Sequence, residues 1–308
     1  MKFTKPAKTF DEQIDLLISR GMLIENREYA AQQLANINYY RLEAYWLPFE
    51  ESRSPHKFID GTTFEEVVNR YLFDREFRLL VSDAIERIEI SFRTQWAYHL
   101  SHKYGAHGYL TNTKGMRKNE RRLNNDIQEL EKHVNRSDEV FIKHYIDTYD
   151  ETLPPAWVSC EVMSLGLLSR FYSNLSAYPV RRQISGNYQL DENFLEGFME
   201  HLTYIRNVCA HHSRLWNRHL TKKMPLPRNK PLGLKDNINA ARLAEHKIYN
   251  TLVLIQHLLN IICPQSHWAQ RLLGLIEQHN IPTPQMGFPE NWQELPLWKA
   301  ALTIKENA

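Results

Sequence analysis

The sequence predicts an all-α fold on three observations. Apolar residues recur at three- and four-residue steps along most of the 308 residues, the pattern of helices with one buried stripe. Two of these stretches open on a Thr-x-x-Glu capping box. No stretch alternates apolar with polar residues as a half-buried strand does. A chain of this length can bury a substantial core, and 43% hydrophobic with 24% charged residues is the composition of a soluble globular protein.

In order, Thr9-Phe-Asp-Glu12 opens a first helix carrying Ile14, Leu17 and Ile18, and Gly21 ends it. A second helix runs from Glu28 to about Ile37, followed by the aromatic-rich segment 36–49. Two short helices around a glycine have the outline of a helix-turn-helix DNA reader. No basic recognition surface accompanies them, so residues 1–60 read better as a small N-terminal helical subdomain made for packing. Residues 50–61 read as a connecting loop. Thr63-Phe-Glu-Glu66 then opens a long helix whose apolar positions, Val67, Leu79, Ile85, Phe92 and Trp96 among them, continue to about Tyr104. Its Glu86, Arg87, Glu89 and Arg93 mix signs at short spacing and suit ion pairs better than an acid/base dyad.

Composition shifts between residues 105 and 137, a basic polar insertion in a domain spanning 61–308. Lys114, Arg117, Lys118, Arg121 and Arg122 crowd into nine residues with hardly an apolar one among them. The run reads either as a solvated loop leading into a helix or as a strip that binds phosphates without sequence choice. A short aromatic helix over 141–149 follows, then the break at Pro154-Pro155, then a helix from about Trp157 to Leu175. Glu161 near its start is a carboxylate in an apolar helix, a candidate to orient an arginine such as Arg206. Further core helices are expected over 240–263 and 268–279. The tail 281–299 has four prolines and reads as irregular, anchored by its aromatic residues.

The segment Tyr204–Arg218, YIRNVCAHHSRLWNR, concentrates the chemistry. Asp191 is an N-cap signal for an apolar seam through Phe194, Phe198, Leu202, Ile205, Cys209, His212 and Trp216. On that helix His212 falls on the packed side, and Asn207, His211, Arg214 and Arg218 on the opposite face. Arg206 and His211 stand roughly 140° apart, with small residues between them that leave room for a ligand. An isolated Arg and His of this kind are more often a core histidine beside a solvated basic face. Beyond the helix, Lys222, Lys223, Arg228 and Lys230 form a second basic strip in a proline-rich segment.

A net charge of +2 does not by itself imply a polyanionic partner; only its distribution can. The three dispersed cysteines give neither a disulfide framework nor a metal-ligand pair, and Cys209 with His212 belongs to the seam, so no metal or other cofactor is expected. No apolar leader opens the chain, and the most apolar stretch, 248–263, is interrupted by polar residues. A cytoplasmic protein without membrane contact is the expectation.

Five segments in order, NINYYRLEAYWLPF, FDREFRLLVSDAIERIEISFR, LPPAWVSCEVMSLGLLSRFYSNL, YIRNVCAHHSRLWNR and MGFPENWQELPLW, resemble the AbiD/AbiF-type abortive-infection proteins of bacteria, a branch of the HEPN superfamily. The resemblance implies a multi-helix HEPN-like bundle and a ribonuclease motif, an arginine followed after four to six residues by a histidine. Arg206, Asn207 and His211 match it, and His212 also satisfies the spacing. It further implies a homodimer that brings two motifs together, a toxin-like role in phage defence, and association with a structured noncoding RNA.

The residue types suit cleavage of RNA by its own 2′-hydroxyl without metal, which leaves 2′,3′-cyclic phosphate and 5′-hydroxyl ends. His211 would be the general acid/base, Arg206 would stabilise the phosphorane, and Asn207 would position the phosphate or His211. Arg214, Arg218 and the two basic strips would hold the RNA strand. Two other classes stand beside this one: a non-catalytic RNA-binding scaffold, and a DNA-binding regulator using the N-terminal helices.

Overall fold

The computed structural model describes residues 2, 4, 6–110, 118–176, 178–227 and 233–306, with side chains to residue 302. The fold is all-α. In chain order the elements are α1 (Phe10–Ser19), α2 (Arg27–Asn36), α3 (Tyr39–Trp46), a hairpin of β1 (Glu50–Arg53) and β2 (His56–Phe58), and α4 (Phe64–Tyr104). Then come α5 (Glu120–Arg136), α6 (Val140–Thr148), α7 (Ala156–Val162), α8 (Leu165–Asn174), α9 (Tyr178–Gly186) and α10 (Glu192–Ala210). The chain closes with α11 (Tyr249–Ile262), α12 (Trp268–Gln278) and α13 (Pro296–Glu306). The chain divides into two compact units, residues 1–78 with 274–281, and residues 79–273 with 282–308.

In the first unit both capping boxes form: Thr9 Oγ1 accepts from Glu12 N at 3.2 Å, and Thr63 Oγ1 from Glu66 N at 3.2 Å, while each glutamate returns to the threonine amide. The segment expected as a plain loop over 50–61 carries the antiparallel hairpin instead. At two short strands it is too brief to leave an alternating signal in the sequence. The core holds a charged network. Tyr45 donates to Asp74 at 2.7 Å, and Arg78, one turn beyond Asp74 on α4, pairs with the same carboxylate. All three side chains are buried, so each supplies what the others need. The returning segment is tied down by Arg70, which donates to the carbonyls of His279 at 2.9 Å and Asn280 at 2.8 Å.

In the second unit α8 and α11 are buried nearly all round, as expected of helices at the centre of a bundle. α5 lays Leu123, Leu130 and Val134 inward and packs on α8, and Arg170 of α8 reaches back to Asp126 at 2.6 Å. The helix expected over 157–175 is two, because the chain turns at Met163-Ser164 and Ser164 caps α8 by accepting from Leu167 N at 3.2 Å. Gly166 then lets α8 approach α10: a Cβ there would lie 3.3 Å from Thr203 Cγ2. The tail is more regular than its prolines suggest. Pro296 occupies the first position of α13, where the missing amide costs no hydrogen bond. No helix among the described residues is long and apolar enough to cross a membrane.

These cores make two outcomes measurable. Asp74→Ala removes the carboxylate that faces a buried guanidinium and is expected to cost about 3–5 kcal/mol of stability, whereas Tyr45→Phe, which leaves the ion pair, costs less, about 1 kcal/mol; urea midpoints of the two variants check the order. His201 of α10 is fully buried against Thr251 Oγ1 at 2.9 Å, and burial depresses its pKa to about 4 from the usual 6.5. The unfolded chain therefore binds a proton that the folded chain refuses between those values, so stability is full above pH 6.5 and falls as pH drops toward 4, by about 3 kcal/mol for this residue. Acid unfolding of His201→Gln should lack this component; an unchanged slope would remove His201 as its source.

Candidate functional site

Helix α10 positions the site. Asp191 caps it by accepting from Asn193 N at 2.9 Å and Phe194 N at 3.1 Å. Phe194, Leu195, Phe198, Met199, Leu202, Ile205 and Cys209 bury its inner stripe. Arg206 and Asn207 are consequently exposed, and Arg206 Nη1 donates to Asn207 Oδ1 at 3.2 Å. His211 stands one turn beyond Asn207, its amide donating to the Asn207 carbonyl at 3.0 Å.

The helix ends at Ala210, well short of Trp216, the last seam residue expected from the spacing. His211 is its C-cap, and His212 takes a left-handed conformation with φ of 55°. His212 N donates to Cys209 O and Ser213 N to Val208 O, both at 3.0 Å, which is the hydrogen-bond pattern of a Schellman cap. The expectation that His212 packs on the apolar seam is therefore wrong: it leaves the helix axis and is exposed, as His211 is. A helical wheel carried past Ala210 applies a rotation the chain no longer makes. Trp216 is still buried, but it arrives by the turn and not by the helix.

Beyond the cap the chain folds back along α10. The Tyr204 hydroxyl accepts from Thr221 N at 3.4 Å and Thr221 Oγ1 at 3.3 Å. Burial pushes this phenol up, but hydrogen bonds from Thr221 and Arg218 outweigh it and the net shift is downward. Arg218 also donates to the Arg214 carbonyl at 3.3 Å. Lys247, which no spacing in the sequence singles out, joins these cations: it donates to the Asn217 carbonyl at 3.2 Å, and its pKa is lowered by burial and then by the charge of Arg214. A lysine held half-buried beside an arginine is eased by an anion, phosphate included.

Not every expected cation is brought here. Lys118 pairs with Glu196 at 2.9 Å, Lys222 pairs with Glu200, and Lys223 pairs with Glu245 at 3.0 Å, a contact that holds the Glu245 carboxyl below its usual range. Arg121 and Arg122 lie exposed in the first turn of α5. Lys114, Arg117, Arg228 and Lys230 lie outside the described residues. Glu161 does not turn to Arg206. Its carboxylate lies 3.5 Å from Arg93, which also pairs with Glu89 and donates to the Met163 carbonyl at 2.8 Å. The three cysteines form no disulfide, and among the described residues no cluster of His, Cys, Asp or Glu could hold a metal ion.

The arrangement offers a cationic fork, an amide and two imidazoles on one exposed helix end, where the partial negative charge of the helix terminus favours cations. No curated protein and no solved structure matches the chain. The family described as Abi-like protein matches residues 32–217, more than half of the chain and all of this helix. The chain therefore belongs to the Abi-like protein family, an assignment that points to abortive infection, a form of phage defence.

Proposed function

We propose that this protein is a metal-independent endoribonuclease of the HEPN type, acting in the cytoplasm as a toxin-like agent of phage defence. The observation that carries the reading is the Arg206–Asn207 pair one turn before His211, exposed where α10 ends and the Arg214, Arg218 and Lys247 cations gather on the returning chain.

In this reading the RNA 2′-hydroxyl attacks the neighbouring phosphorus, the bond to the 5′-oxygen breaks, and the ends are a 2′,3′-cyclic phosphate and a 5′-hydroxyl. Arg206 holds the phosphorane oxygens with its planar fork, and Asn207, kept against Arg206, positions the phosphate. One proton must leave the 2′-hydroxyl and one must reach the departing oxygen. His211 performs one task and its counterpart in a second copy performs the other, so the active species is a homodimer. Arg214, Arg218 and Lys247 hold flanking phosphates. A structured noncoding RNA that restrains or organises the protein is a second partner, and the exposed Arg121 and Arg122 suit it.

The test is cleavage of single-stranded and structured RNA in chelator, with end analysis of the products. Arg206→Ala and His211→Ala are expected to slow cleavage by about 10²–10⁴-fold with the fold intact, while His212→Gly, which keeps the left-handed turn, stays within about tenfold. RNA bound equally well by wild type and both alanine variants, with no cleavage by any of them, would sink the enzyme and leave a scaffold. Sequence-specific binding of duplex DNA would favour the regulator instead.

Lys247→Met is expected to raise KM without lowering kcat, and to flatten the slope of log affinity against log salt by about 0.7, the share of a single phosphate on a single strand. An unchanged salt slope would remove Lys247 from the strand path.

A further inference from the structure

A groove between the C-terminal half of α4 and helix α7 is used by nothing in the reaction above. Tyr98, Ser101 and His102 line it from α4 and Trp157, Cys160 and Glu161 from α7, around a volume of about 530 Å³, within the range of about 300–1,000 Å³ typical of small-ligand sites. The spacing is helical on both walls, so each helix presents one coherent face.

Two aromatic side chains here are left uncovered. Trp157 is 53% exposed and Tyr98 56% exposed, and no described ring contact joins them to each other. Tyr98 is backed by His102, with ring centroids 4.0 Å apart. Ser101 Oγ is buried without a hydrogen-bond partner behind the groove wall. Glu161 makes a long contact of 3.5 Å to Arg93 and accepts weakly from the Cys160 thiol at 3.8 Å, so its carboxylate keeps acceptor capacity. Burial pushes that thiol up to about 12, which makes it a neutral apolar wall.

The groove connects to the candidate site through packed residues. Arg93, which contacts Glu161, donates to the Met163 carbonyl. Three residues on, Gly166 is where α8 meets Thr203, one turn before Arg206 and Asn207. A flat ring with a hydrogen-bonding edge suits the two exposed aromatic side chains and the Glu161 carboxylate. A lipid chain would leave Glu161 unmet.

We infer that this groove binds one unpaired nucleobase of the RNA strand, its face against Trp157 and Tyr98 and its amino edge toward Glu161. The inference rests on the ribonuclease reading. Base stacking on aromatic side chains needs no sequence choice, and a carboxylate acceptor favours bases that carry an exocyclic amine, such as cytosine.

The test uses the full chain and an uncleavable 2′-O-methyl oligonucleotide, read by fluorescence anisotropy, with cleavage of ordinary RNA measured in parallel. Trp157→Ala is expected to weaken binding at least about fivefold and to raise KM with kcat unchanged, while Trp157→Phe stays within about threefold of wild type. Glu161→Gln should reduce the preference for cytosine over uracil. If RNA is bound and cut normally by Trp157→Ala, with the variant's melting transition intact, the groove is overturned and the nuclease stands. If folded wild-type protein neither binds nor cuts RNA, both fall. Cytidine monophosphate bound in a Trp157-dependent way, with the oligonucleotide unaffected by Trp157→Ala, overturns the strand and assigns the groove to a free nucleotide.

Discussion

The burial of one face of α10 is the constraint on which the candidate site depends. Phe194, Phe198, Leu202 and Ile205 sit inward at steps of four, four and three, and a helix held by that stripe has no freedom to rotate. Arg206 and Asn207 are outside because their neighbours are inside. The close approach at Gly166 and Thr203 fixes the helix against α8 as well as in rotation. Side chains on the outer face of such a helix are placed by the core, and their own contacts need only be slight, as the 3.2 Å hydrogen bond between Arg206 and Asn207 is.

Where that helix stops matters as much as where it points. A glycine commonly occupies the left-handed position of a Schellman cap, because a side chain there is disfavoured, although histidine visits the region more readily than most residues. His212 occupies it here. Two adjacent imidazoles are thereby both exposed, which a continuous helix would have divided between core and solvent. Membership of the Abi-like family covers the whole of this helix and the turn after it, so the family assignment and the local geometry bear on the same residues.

Much of the fold is legible in the sequence because its signals are local. Thr9 and Thr63 announce helix starts through their own side chains, Asp191 does the same for α10, and the apolar spacing carries α4 to Tyr104. What escapes sequence reasoning is non-local or depends on an ending. Nothing near Ala210 is a glycine or proline that marks a stop, so spacing alone extends the seam to Trp216. Glu161 finds Arg93 and not Arg206 because partner choice is set by how α7 lies on α4, which spacing within one helix does not encode. Lys247 is beyond the reach of any local pattern, since it meets Asn217 only through the fold. The lysines of the basic strips illustrate the converse. Their positive charge is plain in the sequence, but the pairing of Lys118, Lys222 and Lys223 with Glu196, Glu200 and Glu245 is not.

Gly287 has a further reach. It holds φ of 90°, and a Cβ at that position would fall 2.5 Å from the Lys247 side chain, inside the distance that real atoms tolerate. The tail segment carrying it thus acts as a stop against the stem of the lysine whose head joins the cation cluster. A side chain at Gly287 would press on the stem of Lys247 and, at 3.6 Å, meet the buried Tyr249, so the same glycine bears on the surface cation and on the core beneath it. The worth of such a residue lies in what it keeps out of the way.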